Sequence, residues 1–346
     1  MKSPIVRVFL YLIYLVVITF ILAEVLVRIF DPFDIRHYFE MKSCLNVMEM
    51  NPQYEYTQKP GFYRKYKNFV LEINSEGFRG KEFSLKKPPG KKRLLLLGDS
   101  MVLGWGVPLE DIFPTLIQKK IDSLGWKWEV IPAGVISWNT RNEVEFLKSR
   151  GIQYEPDLVV MLVFGNDVIP KLNSYSEVPK EKLFPNLERI KNPPAIRKIL
   201  FGLARGIVYN SYALTTAMYI FVWKHQNEGL LDYYQADSPA WEDTRLALVS
   251  LKEFCRQRNL KLLIVLGLYE NQTDPMASTY RETYANFLQQ KQFEAAETVV
   301  AFDDPHYRNS PMDGHPNRRG HRIIADHLFQ ILKPYLNPGG IKPSLE

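Results

Sequence analysis

The sequence predicts an α/β protein in which helices cover both sides of a parallel sheet and a single membrane helix precedes this body. Along residues 93–335, short continuous apolar runs alternate with segments of helical periodicity. Such runs are typical of strands that are buried on both faces, and their alternation with helices indicates a parallel sheet. Residues 8–23 contain no charged side chain, and with the apolar residues up to 30 they can cross a hydrocarbon core.

The N-terminal run predicts an uncleaved signal anchor, because no small-x-small cleavage site follows Ala23. Lys and Arg are nearly balanced on its two sides, so the positive-inside rule discriminates weakly; we expect a short cytoplasmic tail and a periplasmic body. The predicted regions are a tail and anchor (1–30), a juxtamembrane region with hairpin-like pieces (31–92) and a catalytic body (93–338) with a helical insert at about 170–240. The insert either packs on the body or forms a lid.

Composition excludes several classes of protein. The chain has 346 residues, is 46% hydrophobic and carries a net charge of +6, which is ordinary for a globular protein. Cys44 and Cys255 are too few for a disulfide scaffold or zinc ribbon, and whether they pair is open. The positive surplus lies between Lys59 and Arg93, so a basic nucleic-acid-binding body is not expected. That stretch is either a solvated face or a patch for anionic lipid or glycan.

The apolar patterns give the order of elements in the body. The predicted strands are 93–98, 128–135, 158–164, 262–268 and 298–302. The predicted helices are 111–124, 140–149, 241–258, 278–294 and 317–333.

Polar residues with catalytic chemistry follow three of these strands. Ser100 comes directly after the first strand, where its own N–H can point at an anion. Gly134 ends the second, and the missing Cβ lets backbone N–H groups approach a substrate. Asn166 follows the third and can direct its amide at a developing oxyanion. Each has a structural alternative: a helix cap for Ser100, an Asx-turn for Asn166, and a plain turn for the glycine.

A histidine near the C-terminus completes the set. His315 can take the proton from a serine hydroxyl, since imidazole titrates near neutral pH. Asp313 precedes it by two residues and can hold its tautomer if the turn folds back. The alternative is a surface loop that caps the last helix.

These segments together resemble the blocks of the SGNH/GDSL hydrolase family: GDSMVLGWG (98–106), Gly134, GND (165–167) and DGHPNRRGH (313–321). NSEGFRG (74–80) also resembles a segment of membrane-anchored bacterial members. The resemblance implies a flavodoxin-like three-layer α/β/α sandwich and ester chemistry without a cofactor or metal. It makes Ser100 the nucleophile and His315 the base, and it forms the oxyanion hole from the N–H groups of Ser100 and Gly134 with Asn166.

The chain departs from the family pattern at three places. Phe164 stands where a glycine is usual, Pro132 and Ala133 replace a residue pair that often contains Asn, and Met312 occupies the usual position of the acid. Asp313 is therefore the first candidate for the acid, with Asp304 and Asp303 in reserve. His321 is expected on the surface of the last helix or in its packing, and His306 lacks a second histidine at ligand spacing.

Four functions remain open at this stage. The leading one is a membrane-anchored serine esterase that removes acetyl or another small acyl group from an extracytoplasmic carbohydrate or lipid-linked glycan. The same residues serve an O-acyltransferase, for which a membrane-bound acyltransferase is a candidate partner. The third is a phospholipase or thioesterase, favoured if 199–223 enters lipid. The last is a catalytically degenerate glycan-binding subunit. The oligomeric state is not predicted.

Overall fold

The computed structural model describes residues 4–43, 47–170, 182, 210–222, 228–269, 275–301 and 304–337. Its helices are α1 (Pro4–Phe30), α2 (Ile35–Ser43), α3 (Ser100–Leu103), α4 (Phe113–Ser123), α5 (Thr140–Ser149), α6 (Tyr212–Val222), α7 (Pro239–Gln257), α8 (Pro275–Gln290) and α9 (Arg318–Leu336). Its strands are β1 (Met48–Asn51), β2 (Glu55–Gln58), β3 (Tyr63–Lys65), β4 (Val70–Glu72), β5 (Lys92–Gly98), β6 (Trp128–Gly134), β7 (Leu158–Val163), β8 (Lys261–Tyr269), β9 (Ala295–Ala301), β10 (Arg308–Ser310) and β11 (Asp313–Pro316).

The predicted parallel sheet is confirmed. It has five strands in the order β6-β5-β7-β8-β9, and every neighbouring pair is parallel. When the five strands are numbered by their order in the chain, this is the flavodoxin-like order 2-1-3-4-5. The order reverses at β5, so the carboxyl ends of β5 and β7 flank the crevice in which such sheets bind ligands.

Two apolar cores cover the sheet and make it the middle of three layers. Successive strand residues point to opposite faces, so Leu95 and Leu97 join one core while Leu94 and Leu96 join the other. The first core contains side chains of α5, α7 and α8, and the second contains those of α4 and α9. The continuous apolar strands of the sequence are thus explained by burial on both faces.

The juxtamembrane region is more ordered than the sequence predicts. Two antiparallel hairpins, β1–β2 and β3–β4, account for the expected hairpin-like pieces. Helix α2 was not predicted, because its nine residues, IRHYFEMKS, show no extended apolar periodicity. A third core joins residues of this region to Trp105, so the region packs against the segment that follows Ser100.

Many basic residues of the 59–93 stretch bind partners inside the molecule. Arg79 and Arg93 are buried, and their guanidinium groups donate to backbone carbonyls. Lys67, Lys81 and Lys87 form ion pairs with carboxylates. The charge surplus of the sequence is therefore used in part for internal contacts rather than as a free basic surface.

Helix α1 is long and apolar enough to span a membrane. It has 27 residues, none of them buried, and its most apolar window has a mean hydropathy of 2.7. At 1.5 Å per residue it is about 40 Å long, which exceeds a hydrocarbon core of about 30 Å.

A described part of the insert contacts the end of this helix. The Glu24 carboxylate accepts hydrogen bonds from the backbone N–H groups of Tyr212 at 3.1 Å and Ala213 at 2.9 Å, at the start of α6. Arg28 donates to the Asn210 carbonyl at 2.7 Å. Glu24 and Arg28 thus bind the insert. Residues 228–240 of the insert are also described and include a 3₁₀ helix, Glu228–Tyr234, whereas most of 170–209 and residues 223–227 lie outside the described part of the chain.

The boundaries of two predicted elements were wrong. Helix α8 begins at Pro275 and ends at Gln290 rather than covering 278–294, since proline is favoured in the first turn of a helix. Strand β9 begins at Ala295, three residues before the prediction, because pairing with β8 includes Ala295 and Ala296, whose small side chains give no strand signal. Cys255 is a buried free thiol, while Cys44 lies outside the described residues.

Arg79 joins the juxtamembrane region to the loop after Ser100. Its guanidinium donates to the carbonyls of Leu103 at 3.2 Å, Val107 at 2.6 Å and Val70 at 2.9 Å, and the side chain is 2% exposed. We expect Arg79→Met to lower the free energy of unfolding by about 3–5 kcal/mol, because it leaves buried carbonyls without donors.

The measurement is denaturant unfolding of the full chain in detergent micelles. Arg256→Met, at an exposed arginine paired with Glu253, is the control and should change stability by less than about 0.5 kcal/mol. Equal stabilities of the two variants would contradict the role of Arg79.

Candidate active site

Ser100 lies at the sheet edge where the fold places ligand-binding residues. It follows β5 and is the first residue of α3, and its side chain is largely buried. The structural alternative for this residue does not hold, because the N-cap is Asp99, whose carboxylate accepts the Met101 N–H at 2.9 Å. The serine hydroxyl is thus free to make a different contact.

That contact is with His315. Ser100 Oγ lies 2.7 Å from His315 Nε2, across 215 residues of sequence. His315 Nδ1 is hydrogen-bonded to Asp313 Oδ1. Since the carboxylate accepts the Nδ1 proton, Nε2 carries the lone pair that faces the serine. Ser100, His315 and Asp313 therefore form a continuous hydrogen-bonded chain.

The Asp313–His315 pair is placed by a strand rather than by the expected folded-back turn. Both residues lie on β11, which pairs with β10 in an antiparallel hairpin. Side chains two residues apart on a strand point to the same face, so the carboxylate and imidazole lie side by side. The spacing of two residues between Asp313 and His315 fits a strand, because side chains three positions apart on β11 would point to opposite faces.

The electrostatics of the pair favour an ionised acid and a basic imidazole. Burial raises the pKa of the Asp313 carboxyl, but the His315 charge and the hydrogen bonds from His315 and His37 outweigh it and hold the pKa below its ordinary value of 3.8. Burial lowers the pKa of His315, whereas the Asp313 carboxylate and the more distant Asp99 raise it above 6.5 overall. The pair thus consists of a carboxylate and a strengthened base.

Asn166 lies beside the nucleophile. Its Nδ2 donates to Asp99 Oδ2 at 3.0 Å, and Asp99 directly precedes Ser100. The loop that carries Asn166 is anchored by Tyr234, whose hydroxyl donates to the Gly165 carbonyl at 2.5 Å, and by Tyr280, whose hydroxyl donates to the Val163 carbonyl at 2.6 Å. The end of β7 is thereby fixed against the end of β5.

Gly134 pairs with Gly98 at the carboxyl ends of β6 and β5. A Cβ at Gly134 would lie 2.4 Å from the Leu103 backbone nitrogen and 2.8 Å from the Val102 carbonyl carbon. The close approach of α3, the helix that begins with Ser100, therefore requires glycine at this position. The structure supplies this packing reason for Gly134 in addition to the role expected for its N–H group.

Of the two reserve residues, the structure describes only Asp304, which pairs with His306 instead of His315. Asp304 accepts a hydrogen bond from His306 at 2.6 Å in an exposed pair, and Asp303 lies outside the described residues. His321 is a packing residue, not a surface one: it is 1% exposed, stacks on Phe113, and burial lowers its pKa to about 3.

Two residues that contact Asp313 were not predicted from the sequence. His37 of α2 is fully buried, and its Nε2 lies 2.6 Å from Asp313 Oδ2. No feature of the sequence signals this contact, because the residues are 276 positions apart and α2 has no recognisable pattern. Asn309 Nδ2 lies 3.3 Å from the same oxygen; it is only four residues from Asp313, but its contact depends on the β10–β11 hairpin, which was not predicted.

A second buried acid lies behind the site. Glu143 of α5 is 0% exposed, and neither of its carboxyl oxygens has a hydrogen-bond partner among the described residues. Burial, with smaller contributions from Asp167 and Asp99, raises its pKa well above the ordinary value of 4.5. Folding therefore favours the neutral form of the Glu143 carboxyl relative to the unfolded chain.

This shift makes stability depend on pH. Because the pKa of Glu143 is higher folded than unfolded, its stabilising contribution is complete below 4.5 and is lost as pH rises through the folded value. We expect Glu143→Gln, which cannot ionise, to match the wild type near pH 4.5 and to have an increasingly higher thermal midpoint than the wild type as pH rises to about 8.

The midpoints can be followed by tryptophan fluorescence of the full chain in micelles. Glu242→Gln, at an exposed position on α7, is the matched control and should follow the wild type at every pH. If Glu143→Gln also runs parallel to the wild type, Glu143 is not held neutral.

Comparisons with known proteins were made by sequence and by structure. No family model matches the chain, and no curated protein matches it. Among solved structures, it is similar to a psychrotrophic esterase, EstA, from Pseudoalteromonas sp. (13% identity, 71% of this chain, 100% of that chain, TM-score 0.43). It is also similar to a lipase/acylhydrolase from Enterococcus faecalis (12%, 72%, 100%, 0.40) and to a member of the lipolytic G-D-S-L family from Veillonella parvula (10%, 70%, 98%, 0.38).

Proposed function

We propose that this chain is a membrane-anchored serine ester hydrolase that removes acetyl or another small acyl group from an extracytoplasmic carbohydrate or lipid-linked glycan. The observation that carries the proposal is the hydrogen-bonded chain from Ser100 Oγ through His315 to Asp313. A hydroxyl at 2.7 Å from an imidazole whose other nitrogen is bound to a buried carboxylate is the arrangement that activates a serine.

The reaction proceeds in two halves. Ser100 Oγ attacks the ester carbonyl carbon while His315 Nε2 takes the hydroxyl proton, and the carbonyl π electrons move to oxygen. Collapse of this intermediate breaks the bond to the leaving oxygen, which receives the proton from Nε2, and leaves an acyl-serine. Water then attacks the acyl carbon with His315 again as base, releasing the carboxylic acid and restoring Ser100.

The oxyanion is assigned to three donors near the carboxyl ends of the strands: the N–H groups of Ser100 and Gly134 and the side-chain amide of Asn166. An amide nitrogen carries two protons, and the one that is not donated to Asp99 is assigned to the oxyanion. Such a donor contributes about 10²–10³-fold to kcat in comparable sites.

The position of the site supports a substrate at the membrane surface. α1 ends at Phe30, and His37, seven residues later, contacts Asp313. Even a fully extended chain of that length spans only about 25 Å, so the catalytic residues lie close to the end of the membrane helix. An acylated glycan that is linked to lipid is held within that distance of the bilayer.

The decisive experiment is hydrolysis of short-chain aryl esters by the full chain in detergent micelles. We expect Ser100→Ala and His315→Gln to lower kcat by about 10⁴-fold or more, because each removes a member of the activated set. Rates in the wild type should rise as pH passes through the His315 pKa, which lies above 6.5, since the base must be neutral.

His306→Gln is the matched control, because His306 also binds an aspartate at 2.6 Å but is exposed. It should leave kcat unchanged. A wild type that neither turns over esters nor reacts at Ser100 with a fluorophosphonate would refute the proposal and favour a glycan-binding subunit. Transfer of labelled acyl groups to a sugar instead of water would identify an O-acyltransferase with the same intermediate.

A second candidate, an esterase acting on long-chain acyl groups at the bilayer, is favoured by α6. This uncharged helix begins at the Glu24 and Arg28 contacts with α1, and Met218 and Ile220 on it are 46% and 53% exposed. Exposed apolar side chains on a helix attached to a membrane-spanning helix can enter the interface.

For this candidate, we expect the double variant Met218→Glu with Ile220→Glu to lose activity on long-chain esters in lipid vesicles and to keep activity on soluble acetyl esters. Val249→Glu, at an exposed apolar position on α7, is the control and should affect neither activity. Equal rates of the double variant and the wild type on vesicles would exclude α6 from substrate capture.

A further inference from the structure

We propose that His37 is a positioning residue for Asp313 and that the helix following the membrane anchor thereby completes the active site. The inference rests on the proposed function. The two oxygens of the Asp313 carboxylate have different partners: Oδ1 binds His315, while Oδ2 lies 2.6 Å from His37 Nε2. Both partners of the His37 contact are buried, with side-chain exposures of 0% and 1%.

The direction of the His37 hydrogen bond follows from the acceptor. An ionised carboxylate only accepts, so Nε2 carries the proton. His37 Nδ1 is buried and has no hydrogen-bond partner among the described residues. A proton on Nδ1 would therefore be a buried donor without an acceptor, which is costly. His37 therefore donates to Asp313 from Nε2.

The helix that carries His37 is held by contacts on several sides. The Asp31 carboxylate caps it by accepting the Ile35 N–H at 2.6 Å, and Lys67 of the β3–β4 hairpin pairs with Asp34 at 3.1 Å. The Phe39 ring packs edge-on against Tyr212 of α6, with centroids 5.3 Å apart. The orientation of His37 thus depends on the anchor end, the hairpin and the insert together.

Loss of the hydrogen bond from His37 is expected to raise the pKa of His315. With one hydrogen bond fewer, the Asp313 carboxylate becomes more basic and holds the His315 imidazolium more tightly. Protonated His315 then persists to higher pH, and the carboxylate is freer to rotate away from Nδ1. Both changes reduce the fraction of enzyme in which Nε2 can accept the serine proton.

Several charged and titratable groups face this set in the described structure. Asp313 faces both histidines, Asp99 acts on His315 from the end of β5, and the buried His321 of α9 interacts electrostatically with His315 and Arg79. Arg36, Glu40 and Lys67 lie at the outer side of α2, where Glu40 pairs with Arg36 and accepts the Lys67 N–H. A change in the pKa of His315 that follows substitution of the buried His37 is therefore transmitted through Asp313.

The test compares His37→Leu, which fills the space without a donor, with His37→Gln, which keeps an N–H at similar reach. For the full chain in micelles, we expect His37→Leu to lower kcat on aryl acetate by about 10–100-fold with KM unchanged, by analogy with the loss that follows removal of the hydrogen-bond partner of a metal-ligating histidine. The acid limb of its pH profile should move to higher pH. His37→Gln should restore both.

A second readout does not depend on turnover. The protonation midpoint of His315, followed by NMR with ¹⁵N-labelled histidine, should rise in His37→Leu, stay unchanged in His37→Gln and stay unchanged in His306→Gln. An unshifted midpoint in His37→Leu would overturn the inference, even with an active wild type. A shifted midpoint in a chain that hydrolyses no ester would support the contact while refuting the proposed function. The two failures are therefore distinguishable.

Discussion

The site depends on the hydrogen bonds that the buried Asp313 carboxylate accepts. The carboxylate accepts from the His315 backbone N–H at 3.0 Å, from His315 Nδ1, from His37 Nε2 at 2.6 Å and from Asn309 Nδ2 at 3.3 Å. A buried carboxylate without such donors would be costly in its charged form and would protonate instead. The donors come from α2 and from the β10–β11 hairpin, so ionisation of this one group requires that separate parts of the chain be in place.

The segment after Ser100 helps to bring those parts together. Gly106 has a φ of +84°, and a Cβ there would lie 2.1 Å from Asn309 Nδ2, so glycine alone permits the approach of that amide. Asn309 Nδ2 donates to the Trp105 carbonyl at 2.9 Å as well as to Asp313. Trp105 in turn packs against Phe69 of the juxtamembrane region. Segment 98–106 therefore supplies the serine and also helps to position Asp313, the acid of the site.

The sequence predicts the parts of this protein that depend on local pattern or short spacing. The β5 and β7 runs are apolar at every inward position because helices cover both faces, so the sheet could be predicted. Asp313 and His315 could be paired because they are two residues apart. The contact of His37 could not, since it is decided by tertiary packing across 276 residues. Helix α2 was missed because a nine-residue helix is stabilised mainly by what it packs against, not by its own propensity.

The same packing relates the membrane helix to the chemistry. Asp31 directly follows α1 and caps α2, which begins four residues later at Ile35, and His37 lies on the first turn of α2. Because α2, Asp313 and His315 are joined by successive hydrogen bonds, the contacts of α2 fix the position of the serine relative to the end of α1. An anchor connected by a long flexible linker would only raise the local concentration of the enzyme. An anchor whose adjoining helix contributes a buried donor to the site also constrains its height and orientation. In the proposed function, in which α1 spans the membrane and the substrate is linked to lipid, that constraint restricts which ester bonds Ser100 can reach.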